Sequence, residues 1–173
     1  MRVLIVGCGY VGLPLGAELA RGGHAVFGLR RSEEASGALA RAGVQWVRGD
    51  VTDRAQLAAI APRFDWVVNT VSASGGGAED YQRTYFEGTR NLIEWLADTG
   101  LKKFVYTSST GVYGQDDGSL VDEHSAVEPE AGTGRVLAEA ERLLLRAARE
   151  RNFPAVVLRV AGIYGPGRGF YLR

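Results

Sequence analysis

Within its first twelve residues the chain runs Val3-Leu4-Ile5-Val6-Gly7-Cys8-Gly9-Tyr10-Val11-Gly12, and this stretch restricts the fold more than any other. Four consecutive apolar residues, most of them β-branched, favour a buried strand. The strand breaks at glycines spaced G-x-G-x-x-G, and a helical spacing of apolar residues follows at Val11, Leu15 and Leu19, closed by Gly22-Gly23. In such a unit Gly7 permits the tight turn, Gly9 lets a diphosphate approach the backbone, and Gly12 lets helix and strand pack closely. The helix turns its free N–H groups toward an anion above the strand end. The pattern predicts a dinucleotide site that includes Cys8, Tyr10 and Val11 with the three glycines. The alternative is that the glycines merely punctuate a strand-to-helix turn.

The rest of the chain alternates short apolar runs with helical periodicity. Strands are predicted over residues 24–29, 44–47, 65–71, 103–107 and 155–160. Helices are predicted over 32–42, 53–61, 79–97 and 135–150. Ser32 suits a helix N-cap, with Glu33 and Glu34 in the first turn where the helix dipole favours them. Strand and helix in alternation predict an α/β fold, a three-layer doubly wound parallel sheet (Rossmann fold) of about six strands, with residues 1–173 as one NAD(P)-binding domain. Right-handed crossovers would put the ligand site at the C-terminal ends of the strands, near the point where strand order reverses.

Composition excludes several classes. Lys+Arg and Asp+Glu number 20 each, so there is no basic footprint for nucleic acid and no polybasic patch for a membrane. Cys8 is the single cysteine and there are two histidines, which leaves no disulfide framework and no metal site to expect. No run approaches the roughly 18 apolar residues of a membrane span, and the N-terminus shows no signal-peptide pattern. A soluble, cytoplasmic protein is the expectation.

The second strand ends in Leu29-Arg30-Arg31-Ser32, where an NAD site would carry a carboxylate for the ribose hydroxyls. Two guanidinium groups suit a 2′-phosphate, because arginine grips phosphate through a planar fork. NADP is favoured and NAD is the alternative. The other reading is a pair of solvated arginines at the start of a helix. Ser108, Ser109 and Thr110 form a hydroxyl cluster at a strand's C-terminal end, either to hold a polar substrate atom or to cap the turn that follows.

Four further segments fall in order: Asp50-Val51; Asn69-Thr70-Val71-Ser72; Thr107-Ser108-Ser109-Thr110-Gly111-Val112-Tyr113-Gly114; and Leu158-Arg159-Val160-Ala161-Gly162-Ile163-Tyr164-Gly165-Pro166-Gly167. With the glycine loop they resemble the extended short-chain dehydrogenase/reductase superfamily, the NAD-dependent epimerase/dehydratase family, along the whole chain. The resemblance implies that Asp50 binds the adenine amino group and Val51 packs on the ring. It runs the backbone of Asn69, Thr70 and Val71 through to Ala73 past the ribose and diphosphate, and brings Ala161, Gly162 and Ile163 to the nicotinamide. Ser109 matches the catalytic Ser/Thr that hydrogen-bonds the reacting oxygen. The family's general acid/base tyrosine and its lysine, spaced Tyr-x-x-x-Lys, fall here on Ala131 and Arg135. Arg135 keeps a positive charge for the ribose, while alanine transfers no proton. In this the chain is similar to an atypical bacterial subgroup of epimerases and reductases carrying Ser-Gly-Arg or Thr-Gly-Arg. Tyr113 and Tyr164 are the substitute acids available, Tyr113 usually being structural in the family. The Thr-Asp-Glu of sugar-nucleotide dehydratases is replaced by Ser109-Thr110-Gly111.

The resemblance implies an NAD(P)-dependent epimerase/dehydratase-like oxidoreductase acting on a sugar nucleotide or related hydroxy/keto substrate. The other expectation is a non-catalytic NADP-binding module or redox sensor. Extended members continue for roughly a hundred residues into a substrate-binding lobe. The helices over 79–97 and 135–150 resemble the pair that builds homodimers in this superfamily.

Overall fold

The computed structural model describes residues 1–73, 75, 77–130 and 132–169. Six strands, β1 (Arg2–Val6), β2 (Ala25–Arg30), β3 (Val44–Arg48), β4 (Trp66–Asn69), β5 (Lys103–Ser109) and β6 (Ala155–Val160), form one sheet. Their order is β3-β2-β1-β4-β5-β6, and every pair is parallel. Strand order reverses between β1 and β4, so the loops after these strands open a crevice at that edge. The expected doubly wound sheet is the observed one.

Both faces of β1 are buried, because its residues alternate between two cores. Leu4 and Val6 join Phe27, Leu29, Val67, Phe104 and Tyr106 on one face. The helices α3 (Arg54–Ala58), α4 (residues 78–96) and α5 (Gly132–Arg151) cover it through Leu57, Leu92, Leu96, Ala140 and Leu144. Ile5, Val26 and Val44 occupy the other face beneath α1 (Gly12–Arg21) and α2 (Ser36–Arg41), packed on Leu13, Leu15, Leu19 and Leu39. Each fully buried side chain of this size stabilises the fold by roughly 1.5–3 kcal/mol. The second cover does not reach β6, where Val156 and Leu158 are 37% and 46% exposed.

Two helices depart from the sequence expectation. The helix predicted to begin at Ser32 starts as a 3-10 turn, Glu33–Ala35, with Ser32 Oγ accepting from the Glu34 N–H. The long helix α4 runs as Ala78–Tyr81, a π-helical stretch Gln82–Glu87, and Gly88–Leu96. A π turn widens the helix while keeping an apolar stripe, so the sequence pattern reads as uninterrupted α. The Asp53 carboxylate caps α3, accepting from the Ala55 and Gln56 N–H groups. Strand β4 ends at Asn69, short of the predicted Val71, because Thr70 turns toward the glycine loop. Strand β5 runs on to Ser109, paired with Val160.

Candidate dinucleotide site at the switch point

The three glycines differ in what surrounds them. Gly7 has φ +75°, and a Cβ there would lie 2.6 Å from the Val71 Cα. At Gly12 a Cβ would lie 2.7 Å from Ile5 Cγ2 and 2.9 Å from Thr70 Oγ1. The protein's own packing demands glycine at both positions. Gly9 is different: among the described residues, its chain neighbours aside, the one atom within 4 Å of its would-be Cβ is the Gly7 carbonyl oxygen, at an ordinary 3.7 Å. A turn-punctuation reading explains Gly7 and Gly12 and leaves Gly9 without a cause among the described residues.

Gly7 and Gly9 border a cavity of about 500 Å³. Leu29, Arg30, Arg31 and Ser32 after β2, Gly49 to Thr52 after β3, Val71 and Ser72 after β4, and Arg83 and Thr84 of α4 complete its lining. The loop is fastened on each side. Gly7 N–H donates to the Leu29 carbonyl at 3.1 Å. Thr70 Oγ1 lies 3.0 Å from the Gly7 carbonyl and 3.2 Å from that of Val6. Beyond Thr70 the chain is braced by Asn69, whose Oδ1 accepts from Val71 N–H at 3.2 Å, and by Tyr85, whose hydroxyl accepts from Ala73 N–H at 3.3 Å. The π stretch of α4 brings Tyr85 to that strand end.

Arg30 and Arg31 both reach the cavity. Arg30 donates to the Cys8 carbonyl at 3.3 Å, and Arg31 stands 3.9 Å from an Asp50 carboxylate oxygen. The other Asp50 oxygen accepts from the Thr52 N–H and hydroxyl at 2.9 and 2.8 Å. Buried Asn91 of α4 donates to the Val51 carbonyl at 2.9 Å, so α4 sets the height of this wall. Cys8 points away from solvent, and burial pushes its thiol up to about 11, against a smaller lowering by Arg30. A thiol so protonated is a packing residue.

At the end of β5 the hydroxyl cluster separates. Ser108 is buried, Thr110 is exposed, and Ser109 is half-buried between them. Ser109 Oγ accepts from the Gly111 N–H at 3.0 Å, capping the 3-10 turn Thr110–Val112. The capping reading of Ser109 therefore holds, and it leaves the hydroxyl proton able to donate. Tyr113 is engaged on both sides: its hydroxyl donates to the Asp122 carbonyl at 2.7 Å and accepts from Arg159 at 2.9 Å. Arg159 in turn forks onto Glu141 of α5 at 2.9–3.2 Å. Tyr164 is 70% exposed and Ile163 46%, and Ala161 and Gly162 are exposed as well. Arg135 is exposed on the first turn of α5, its Nε 3.4 Å from the Pro129 carbonyl. Ala131 lies outside the described residues.

Residues 3–172 match the model of one protein family, the NAD dependent epimerase/dehydratase family. The chain belongs to that family. Protein YeeZ of Escherichia coli K12 is 29% identical over 175 residues, which span 96% of this chain and 60% of YeeZ. A dTDP-glucose 4,6-dehydratase of Streptomyces niveus is 32% identical over 70% of this chain and 38% of its own length. Among solved structures, one assigned to the NAD-dependent epimerases/dehydratases, from Methylobacillus flagellatus, superposes with a TM-score of 0.79 at 38% identity, over 97% of this chain and 56% of that one. The chain thus spans at most about 60% of the length of these relatives.

For this epimerase/dehydratase-family chain the residues present fit a dinucleotide. Gly9 is bare where a diphosphate would approach, and Arg30 and Arg31 line the same cavity of about 500 Å³. Asp50, Val51 and Val71, which the resemblance assigns to the dinucleotide, line the cavity, whereas Asn69 and Thr70 brace it from behind. Sequence reasoning missed Arg83, Thr84, Tyr85 and Asn91. Their only signal was the broad apolar stripe of the helix, which hides which residues a π turn rotates to the sheet edge. Among the described residues there is no group of three or more His, Cys, Asp or Glu able to hold a metal ion, and no helix is long and apolar enough to cross a membrane.

Proposed function

We propose that the chain is the cofactor-binding part of an NADP-dependent epimerase/dehydratase-like oxidoreductase whose substrate is a sugar nucleotide or related hydroxy/keto compound. The observation that carries the reading is Gly9, a glycine that no described residue requires and an approaching diphosphate explains. Residues 1–173 act as one dinucleotide-binding domain, and substrate choice rests on a lobe of the kind the longer relatives possess. Arg30, Arg31 and Ser32 border the same cavity with no carboxylate at the end of β2, which favours a 2′-phosphate over bare ribose hydroxyls. When bound, the dinucleotide supplies the two-electron chemistry at its nicotinamide. Ser109 donates its remaining proton to the substrate oxygen, held in orientation by the Gly111 N–H. Arg135 at the head of α5 supplies positive charge. A homodimer through α4 and α5 belongs to the same reading, and sedimentation tests it.

One observation favours a second reading, a dinucleotide-binding module without turnover. The Tyr113 hydroxyl is committed to Asp122 and Arg159, so it is badly placed to move a proton. Matched titrations of NADPH and NADH test the cofactor, and tighter NADH binding refutes the NADP preference. Turnover of NADPH against a panel of sugar nucleotides and ketones, with Ser109→Ala as control, separates the two readings. Turnover that falls at least tenfold in Ser109→Ala supports the enzyme; binding with no turnover across the panel supports the module.

A further inference from the structure

The segment after β6 folds back onto the glycine loop. Gly165 and Arg168 exchange backbone hydrogen bonds of 3.0 and 2.9 Å, closing a tight hairpin around Pro166 and Gly167. The hairpin sits on Tyr10. The Tyr10 hydroxyl donates to the Pro166 carbonyl at 3.1 Å, and the Arg168 guanidinium lies 4.1 Å from the ring centroid. Gly165, at φ +152°, rests so close that a Cβ there would lie 2.7 Å from the Tyr10 hydroxyl. Such a seat joins the segment after β6 to the residue directly after Gly9.

Charge gives this contact a purpose. Residues 7–12 carry no ionisable side chain except Cys8 and Tyr10, and neither bears positive charge. Arg30 reaches the loop from β2, its guanidinium on the Cys8 carbonyl at 3.3 Å, and Arg31 is turned toward Asp50. None of the ion pairs among the described residues includes Arg168. Stacking on Tyr10 restrains the arginine's flexible stem while leaving its N–H fork available.

We propose that Tyr10 and the 165–168 hairpin form a clasp, and that Arg168 binds a diphosphate lying across the glycine loop. The inference rests on the dinucleotide reading and extends it to residues that lie some 156 positions apart from the glycine loop in the chain. Two molecules bring a diphosphate to this edge, the dinucleotide and a sugar nucleotide. The clasp chemistry is the same for both.

Calorimetric titration of the whole chain with NADPH, adenosine 2′,5′-bisphosphate and UDP-glucose separates them, because the bisphosphate lacks the bridging diphosphate. If the dinucleotide is gripped, Arg168→Gln weakens NADPH about tenfold or more and leaves the bisphosphate within about twofold. Tyr10→Leu, which releases the hairpin, reproduces that loss. If the sugar nucleotide is gripped, Arg168→Gln spares NADPH and weakens UDP-glucose to the same degree. Unchanged affinity for both in Arg168→Gln, with wild-type binding intact, overturns the clasp alone. Wild-type protein that binds none of the three overturns the dinucleotide reading and the clasp with it. Thermal melts of both variants guard against misfolding, and Tyr10→Phe, which keeps the ring and removes only the hydroxyl, replaces Tyr10→Leu if the latter unfolds.

Discussion

Exchanging Gly9 for alanine separates folding from binding at the glycine loop, with Gly7→Ala as its counterpart. The Gly9 backbone lies outside the left-handed region, and a Cβ there meets nothing closer than 3.7 Å. Alanine at that place should leave stability within about 1 kcal/mol of wild type, with a gain of roughly 0.4–1 kcal/mol from a stiffer unfolded chain. At Gly7 two costs act together. A left-handed alanine costs about 1–2 kcal/mol, and the new Cβ would sit 2.6 and 2.7 Å from backbone atoms of Val71, which must move for about 1–3 kcal/mol more. For a domain of this size each kcal/mol shifts Tm by about 2–4 °C, so Gly7→Ala should melt roughly 4–20 °C lower and Gly9→Ala within about 4 °C of wild type. Binding reverses the order of interest. The Gly9 methyl occupies the approach to the loop and should weaken NADPH by at least about tenfold, or 1.4 kcal/mol. Circular-dichroism melts and calorimetric titration read the two effects separately. Gly9→Ala binding NADPH as wild type does, or melting as low as Gly7→Ala, would falsify the assignment of that glycine to the ligand.

The Glu141–Arg159 pair is 3% and 16% exposed at its side chains, so removing one partner strands a charge. Glu141→Leu should cost about 3–5 kcal/mol and Glu141→Leu/Arg159→Met much less; chemical denaturation compares them, and equal losses refute the coupling. Burial raises the Cys8 thiol from 9.0 to about 11, so the folded chain retains a proton that the unfolded chain releases first. Its contribution to stability is full below pH 9 and is lost as pH rises toward 11. The denaturation midpoint of wild type should therefore fall relative to Cys8→Ala over that window, and parallel midpoints speak against a buried thiol.

All six strands were legible because each is an apolar run bounded by glycine, proline or charge, and a parallel sheet buries such runs on both faces. The glycine loop was legible for the same reason: its spacing encodes backbone geometry that few other sequences satisfy. What stayed hidden depends on contacts distant in sequence. Nothing around Tyr113 reveals that Arg159, 46 residues on, takes its hydroxyl, and nothing around Tyr10 announces the Pro166 carbonyl. The π turn of α4 was hidden because Tyr81, Tyr85, Leu92 and Leu96 keep a helical stripe either way. Adjacent in sequence, Arg30 and Arg31 suggest a pair acting together. In space they diverge, one toward the Cys8 carbonyl and the other toward Asp50.

The uneven cover of the sheet has a consequence for how the chain opens. β1 is walled in by neighbours on both edges and helices on both faces, whereas β6 has one strand partner among the described residues, β5, and bares Val156 and Leu158. Amide exchange should therefore proceed as a gradient, with β6 deprotecting in a sub-global opening well before β1. The clasp and the Arg159 fork are both attached to that least protected strand. Ligand gripped at Arg168 would slow exchange across β6 far from the cavity, making this strand a reporter of occupancy.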